Sequence, residues 1–250
     1  MGFENSIWLP SPNFDNRDPD VPIDMLVLHY TGMPTAKAAL DRLTEATSKV
    51  SAHYFVEENG DIFALVREEK RAWHAGVAFW RGERSINARS IGIEIVNPGH
   101  EFGYRPFPAA QMAAVTRLAN DIVSRWAIKP WNVVGHSDVA PHRKEDPGEL
   151  FDWKSLAEKN IGLWFKEPLE RPAGTLPGPE PADEETLKRI QLALQDIGYE
   201  CPPTGNCDPA FESVIRAFQR HWRPAKVDGV ADAQTRAVVY AVQAQVPGLT

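Results

Sequence analysis

The sequence predicts an α/β protein with a central mixed β-sheet flanked by helices, followed by a small C-terminal domain of three helices. In residues 1–166, short apolar runs alternate with segments of helical periodicity, as in a sheet covered by helices. Residues 167–182 are rich in proline and glycine, which predicts a partly extended linker. Residues 183–250 have helical periodicity alone, so we expect a second, helical domain there.

Strands are expected at short apolar runs bounded by turn residues, and these are 25–30, 52–56, 62–66, 91–96 and 131–135. The second and third runs flank Asn59 and Gly60, a pair that favours the positive φ angles of a hairpin turn. These two strands are therefore predicted to pair with each other.

Helices of the first domain are expected at 35–46, 108–126 and 152–163, where apolar residues recur at helical spacing. Pro108 suits the first turn of the long helix, and Asp152 suits the N-cap of the last one.

The helical C-terminal part contains a weak internal repeat. Asp208 precedes the apolar pair at 214–215 by the same offset at which Asp232 precedes the pair at 238–239. Each copy has a glycine turn, an aspartate suited to an N-cap and a helix with a buried face. With the helix that begins near residue 183, this makes a three-helix module, small but large enough to fold.

Composition narrows the class of protein. Apolar residues make up 43% and charged residues 24%, as in ordinary soluble domains. The net charge of -7 and the lack of a basic stripe argue against nucleic-acid binding. No apolar stretch is long enough to span a membrane, and the polar residues 1–20 do not have the pattern of a signal peptide.

Cys201 and Cys207 are equally compatible with one small disulfide loop or with two free thiols.

Three residues suggest a metal site. His29 and His136 each end a predicted strand, and Asp146 follows in a loop bounded by proline and glycine. A single histidine in such a place is more often structural, but two histidines and a carboxylate form a ligand set. Three protein ligands with a fourth position for water are typical of a catalytic zinc ion, which would make the chain a hydrolase.

Two further residues could serve that chemistry. Glu94 lies in the middle of an apolar strand, where a carboxylate is costly unless it is paired or functional. It is either half of a buried ion pair or a general base that takes a proton from water. Lys144, two residues before Asp146, is either an ordinary surface lysine or a cation that stabilises an oxyanion.

Longer motifs carry a resemblance to a known family. Residues 135–148 read Gly-His-Ser-Asp-Val-Ala-Pro-His-Arg-Lys-Glu-Asp-Pro-Gly, and residues 72–76 read Ala-Trp-His-Ala-Gly. Together with Leu-His-Tyr-Thr at 28–31, Ser-Ala-His-Tyr at 51–54 and Ser-Ile-Gly-Ile-Glu at 90–94, they resemble the zinc-dependent N-acetylmuramoyl-L-alanine amidases of the type 2 class. The resemblance extends over residues 23–164 and implies the fold shared with peptidoglycan recognition proteins.

The resemblance also implies roles for single residues. His29, His136 and Asp146 would bind zinc, Glu94 would act as general base and then as proton donor, and Lys144 would stabilise the oxyanion. The reaction would be hydrolysis of the amide between N-acetylmuramic acid and L-alanine of peptidoglycan or muropeptides.

The resemblance also implies that five more residues would bind substrate by lining the cleft, or would hold its loops: His53, Trp73, His74, Asn87 and Arg143. A purely structural role stays equally open for His53 and His74. His142 departs from the small or amide residue that is commoner in its motif position, and we expect it to be exposed or to face the substrate.

The C-terminal module is similar to the helical peptidoglycan-binding domain of wall hydrolases. The matching residues are Leu-Gln-Asp-Ile-Gly-Tyr at 194–199, Ala-Phe-Gln at 217–219 and the segment 227–235. Such a module would hold an enzyme on the wall and raise its local substrate concentration. The alternative is a domain for packing or dimerisation.

Three functions follow from these observations. The leading one is a zinc amidase that acts on peptidoglycan or its fragments, and the second is a non-catalytic peptidoglycan-binding or sensing protein. The third is a zinc peptidase that cuts within the stem peptide. A wall-binding module and a possible disulfide favour the cell envelope or periplasm, which is the expected location. The apparent lack of a signal peptide makes the cytoplasm the alternative.

Overall fold

The computed structural model describes residues 2–166 and 182–248. The predicted linker lies outside these residues except for its last position. The described chain falls into a sheet-containing part before the linker and a helical part after it, as the sequence predicts.

A mixed sheet of six strands forms the centre of the first part, in the spatial order β1-β5-β4-β7-β3-β8. Its strands are β1 (Ile7–Trp8), β3 (Met25–Tyr30), β4 (Tyr54–Val56), β5 (Ile62–Ala64), β7 (Ser90–Ile95) and β8 (Val133–Gly135). All neighbours are parallel except β4 and β5, which form the predicted hairpin. Two short strands, β2 (Phe14–Asn16) and β6 (Lys70–Ala72), form a separate antiparallel pair.

The helices of the described residues are α1 (Ala36–Thr44), α2 (Ile86–Arg89), α3 (Gly99–Phe102), α4 (Ala109–Trp126), α5 (His136–Val139), α6 (Trp153–Ala157), α7 (Glu184–Ile197), α8 (Pro209–Trp222) and α9 (Ala233–Gln243). Asp152, Asp208 and Asp232 each accept a hydrogen bond from the first turn of the following helix, which confirms the predicted N-caps.

Several predicted elements are shorter than expected. The strands predicted at 52–56 and 62–66 extend only over Tyr54–Val56 and Ile62–Ala64. The helix predicted at 152–163 ends at Ala157, because Asn160 and Gly162 have φ angles of 62° and 81°. Such left-handed backbone cannot continue a right-handed helix. The strand predicted at 131–135 begins only at Val133, because residues 130–132 form a single 3-10 turn that starts at a proline.

Alternation along β3 sends its side chains to two different cores. Leu26 and Leu28 belong to the core that contains Leu118 of α4, whereas Val27 belongs to a core on the opposite face. Helix α1 packs a third, smaller cluster against Phe55 of β4. Both faces of the sheet are therefore covered, as a nearly continuous apolar strand requires.

The register of the parallel strands positions the candidate site. His29 on β3 lies directly opposite Glu94 on β7, and β8 on the other side of β3 ends just before His136. The carboxyl ends of these strands meet at one edge of the sheet, where open α/β sheets commonly bind ligands.

The three C-terminal helices pack around an apolar core of their own, which includes Leu194, Phe218 and Val239. This core is continuous with Val27 on the second face of the sheet. Of the two alternatives for the cysteines, the structure has two free thiols, with Cys201 buried and Cys207 exposed. Among the described residues, no helix has the length and apolar character that crossing a membrane requires.

We expect Leu118→Ala to lower the free energy of unfolding by about 2–5 kcal/mol, because it empties a fully buried position between α4 and the sheet. Leu192→Ala is the matched control, since Leu192 is 48% exposed on α7 and should cost less than about 0.5 kcal/mol. Denaturant unfolding measures both. Equal losses would show that α4 does not cover the core as described.

Candidate metal centre

An open cleft of about 400 Å³ lies at the carboxyl ends of β3 and β7. Seven of the sequence-predicted site residues border it, and these are Trp73, His74, Glu94, His136, Arg143, Lys144 and Asp146. His29 lies at the bottom of the same region, 1% exposed.

The three predicted metal ligands converge at this point. Nδ1 of His29 lies 2.9 Å from Nδ1 of His136 and 3.0 Å from Oδ2 of Asp146. The remaining side of the triangle, from His136 Nδ1 to Asp146 Oδ2, is also 3.0 Å. All three residues are buried, and among the described residues they form a group with the composition and spacing of metal ligands.

The charge state of the triad suits a cation. Burial, the main cause, and the neighbouring His136 lower the pKa of His29 to about 4, so its imidazole is neutral at neutral pH. Burial opposes ionisation of Asp146, but the adjacent His136 and His29 outweigh it and hold the pKa of Asp146 far below its usual range. The centre thus offers a carboxylate and at least one neutral imidazole.

Hydrogen bonds fix which nitrogen of His136 carries its proton. Nε2 of His136 lies 3.1 Å from the carbonyl oxygen of Ala75, which can only accept. Nε2 therefore carries the proton and donates it, so Nδ1 presents a lone pair to the centre of the triad.

A longer relay fixes the proton of His29 in the same way. The Ser90 hydroxyl donates to the carbonyl of Ile86 at 2.6 Å, so it can accept a hydrogen bond from Nε2 of His74 at 3.2 Å. Nδ1 of His74 is then free to accept from Nε2 of His29 at 3.1 Å. This leaves Nδ1 of His29 with a lone pair that also faces the centre.

When both imidazoles are neutral, their two lone pairs and a carboxylate oxygen therefore lie within about 3 Å of one another. They repel each other unless a cation lies between them, so the donor set fits a bound metal ion. Two nitrogens and one oxygen are ligands that zinc accepts, and donors on a tetrahedral zinc ion stand about 3.4 Å apart, close to the observed spacing.

His74 is held by two neighbours so that it can support His29. A Cβ atom at Gly92 would lie 2.5 Å from Cγ of His74, so only glycine leaves room for the ring there. Oδ1 of Asn87 accepts from the backbone N–H groups of His74 and Ala75 at 3.1 and 2.8 Å. Asn87 does not border the cleft, so of its two predicted roles the structure supports loop-holding rather than substrate contact.

Glu94 borders the cleft next to the triad. It is partly exposed, but its Oε2 is buried and makes no hydrogen bond to the described residues. Burial, and secondly the negative charge of Asp146, raise the pKa of Glu94 well above its usual range. A divalent cation at the triad offsets the charge of Asp146 and favours the ionised form of Glu94.

Lys144 and Arg143 have different surroundings. The Lys144 ammonium borders the cleft and forms no ion pair with the described residues. Nε of Arg143 donates to the carbonyl of Val77 at 2.9 Å, and its Nη2 bonds to Val77 at 2.6 Å and to Ala75. Arg143 therefore clamps the loop that carries Ala75, while His142 is exposed, as expected, and does not border the cleft.

The predicted substrate contact of His53 is corrected by the structure. His53 is 0% exposed and lies behind His74 rather than on the cleft. Its Nδ1 accepts from the N–H of Gly92 at 2.9 Å, and its Nε2 donates to the carbonyl of Lys70 at 3.1 Å. Burial, followed by the charge of Arg17, lowers the pKa of His53 to about 3, so it is a neutral part of the scaffold.

Sequence reasoning missed Ser90 and Arg42. Ser90 begins β7 and lies four residues before Glu94, but a serine at a strand start has no pattern that distinguishes a proton relay. Arg42 borders the cleft and its guanidinium forms no ion pair with the described residues. On the sequence alone it is one of many helix-surface cations.

Comparison with known proteins follows the two parts of the chain. The profile of a family described as N-acetylmuramoyl-L-alanine amidase matches residues 19–149, and the profile of a peptidoglycan binding domain matches residues 183–239. N-acetylmuramoyl-L-alanine amidase AmiD of Escherichia coli K12 is 40% identical over 233 residues, which cover 88% of this chain and 82% of that protein. 1,6-anhydro-N-acetylmuramyl-L-alanine amidase AmpD of Haemophilus influenzae is 34% identical over 58% of this chain and 87% of its own length.

Solved structures match most of the chain. The complex of Escherichia coli AmiD with anhydro-N-acetylmuramic acid-L-Ala-D-γ-Glu-L-Lys superimposes with a TM-score of 0.77 and 39% identity, covering 92% of each chain. AmpDh3 of Pseudomonas aeruginosa gives a TM-score of 0.75 at 33% identity, covering 95% of this chain and 98% of its own. Both matches include the helical C-terminal part as well as the sheet.

We expect Ser90→Ala to weaken the affinity for Zn²⁺ about tenfold, because His74 loses the acceptor that fixes its proton and thereby that of His29. Competition with a chromogenic zinc chelator measures the affinity. Ser213→Ala is the matched control, since that hydroxyl only bonds to a carbonyl on the surface of α8. Unchanged affinity in Ser90→Ala would mean that the relay does not orient His29.

Proposed function

Because the chain belongs to the N-acetylmuramoyl-L-alanine amidase family, whose profile and relatives it matches, we propose that it hydrolyses the amide between N-acetylmuramic acid and L-alanine of peptidoglycan or muropeptides. One observation carries the proposal: a triad of donors that needs a cation shares one open cleft with a carboxylate and with an ammonium that forms no ion pair with the described residues. A metal site, a general base and a cation that stabilises an oxyanion are the groups that catalyse amide hydrolysis.

Zinc is the metal we propose, held by His29, His136 and Asp146. When bound there, zinc lowers the pKa of water to about 7 and polarises the carbonyl to be attacked. His136 and Asp146 border the open cleft, so a metal ion held by the triad would be reachable by water and substrate from the cleft.

Glu94 is the proposed proton carrier. Its carboxylate takes a proton from the attacking water, and the oxygen of that water then forms a bond to the amide carbon. The same carboxyl group gives the proton to the amide nitrogen as the carbon–nitrogen bond breaks. The products are the lactyl carboxylate of the sugar and the free amine of the stem peptide. Glu94 lies opposite His29 on the neighbouring strand, which supports its role as proton carrier.

Lys144 is the proposed stabiliser of the oxyanion. The carbonyl oxygen becomes negative when the amide carbon turns tetrahedral, and a preorganised cation lowers the energy of that state. The ammonium suits the role because it borders the cleft and forms no ion pair among the described residues. Trp73 offers the substrate an aromatic surface on the same cleft. Arg42, also on the cleft, offers a cation to carboxylates of the substrate.

The C-terminal domain, taken as residues 183–250 after the linker, is proposed to bind peptidoglycan, in keeping with the family that its residues match. The catalytic domain would then be residues 1–166. A wall-binding domain on a wall-degrading enzyme also supports the cell envelope as the place of action. Fractionation of cells that express the protein at its natural level, probed with an antibody, tests that location.

Product analysis tests the activity directly. Zinc-loaded protein incubated with purified peptidoglycan, and separately with a soluble muropeptide, should release stem peptides that begin with L-alanine, identified by mass spectrometry. A chelator should abolish release. Fragments cut inside the stem would instead identify a zinc peptidase. Binding to both substrates without release would identify a recognition protein.

We expect Glu94→Gln to reduce kcat by a factor of about 10²–10⁴ while the protein keeps its zinc, because the amide can neither take nor give the proton. Metal content and kcat measured on the same sample separate the two effects. Glu101→Gln is the control, since Glu101 is an exposed carboxylate on the same cleft. A rate near that of the wild type in Glu94→Gln would exclude the proposed proton path.

A further inference from the structure

The C-terminal module lies against the segment that carries two of the three metal ligands. We call residues 136–146 the ligand loop, because they begin at His136 and end at Asp146. Helix α5 forms the first part of this loop and packs on α8 of the module. The Ser137 N–H donates to the Asp146 carbonyl at 2.9 Å, so the two ends of the loop are tied together.

Near its start, the ligand loop offers a buried carboxylate to the module. The side chain of Asp138 is 0% exposed, and the hydroxyl of Tyr199 donates to its Oδ1 at 2.6 Å. Its Oδ2 accepts from Nδ1 of His221 at 2.7 Å and from the N–H of Gly135 at 2.7 Å. Two of the three donors to this carboxylate therefore come from the module, and the third comes from the residue before His136.

At its other end, the loop meets the module again. Glu145, directly before Asp146, is paired with Arg220 of α8. Arg220 is 8% exposed, so this pair lies at the edge of a covered interface rather than in open solvent.

Apolar and aromatic contacts surround these polar ones. The ring of His221 stacks on Trp153 of the first domain, with centroids 3.8 Å apart and planes at 17°. Tyr199 lies edge-on against Trp80 at 5.1 Å. On the far side, Nη1 of Arg81 donates to the last carbonyls of α7, those of Asp196 and Ile197, at 2.8 and 3.0 Å. A shared apolar core, aromatic stacking and hydrogen bonds together favour one fixed arrangement of the two parts over a flexible attachment.

We propose that the C-terminal module is a structural part of the active site: Tyr199, His221 and Arg220 are positioning residues that hold the ligand loop so that His136 and Asp146 point at the metal. This inference rests on the proposed amidase function but adds a role beyond wall binding. A module that only tethered the enzyme to the wall would need none of these contacts with the ligand loop.

The physical basis is the cost of a buried, unpaired carboxylate. Without the module, Asp138 keeps a single backbone donor and must either take up water or swing outward. Either change moves α5, whose first residue is His136. Groups that orient metal ligands from behind typically contribute 10–100-fold to metal affinity or activity.

The test uses the full-length chain and a soluble muropeptide, which does not require attachment to the wall. Tyr199→Phe and Arg220→Gln each remove one contact with the ligand loop. We expect each to weaken Zn²⁺ affinity about tenfold in chelator competition and to lower kcat on the muropeptide, while binding to purified walls stays unchanged. Arg220→Lys, which keeps the charge, should recover most of the Zn²⁺ affinity.

Matched controls lie in the same module but away from the ligand loop. Tyr240→Phe removes a hydroxyl on α9 that makes no hydrogen bond to the described residues, and Arg216→Gln breaks a pair within α8. If Tyr199→Phe fails to fold, Arg220→Gln at the edge of the interface still tests the proposal.

Zn²⁺ affinity and muropeptide rate within twofold of the wild type in folded variants would overturn the proposal and leave the module as a tether. The Zn²⁺ measurement does not depend on the reaction. An inactive wild type would therefore refute the amidase function, while the Zn²⁺ affinities of the variants would still decide whether the module positions the metal ligands.

Discussion

The active region depends on one electrostatic constraint: two imidazole lone pairs and a carboxylate oxygen are held about 3 Å apart. Such a cluster is unfavourable without a cation, so the rest of the fold has to hold it together. The parallel pairing of β3 with β7 and β8 positions His29 and delivers His136. Hydrogen bonds from behind then fix where the protons are.

The two histidines of the triad are oriented by different supporting groups. Ala75, clamped by Arg143, sets the proton of His136. Ser90 and His74 set that of His29 from the opposite side. A histidine that borders a cleft need not bind substrate, because its ring can serve a metal ligand instead. This explains why a motif with many histidines contains only two that belong to the triad.

The two parts of the chain form one continuous structure. The core of the helical module runs into the second face of the sheet, and Asp138 receives hydrogen bonds from both parts. If the module also binds peptidoglycan, its orientation relative to the cleft is fixed by this interface.

The sequence by itself determined the fold class, the hairpin, the N-caps and the three residues that converge at the candidate metal centre. Each of these depends on local chemistry: periodicity, turn residues or ligand types in a compact motif. Only the tertiary structure decided that His53 is scaffold, that His74 supports His29 and that Tyr199 and His221 reach Asp138. These contacts join residues far apart in the chain. Their meaning depends on strand register and domain packing, which no local pattern encodes.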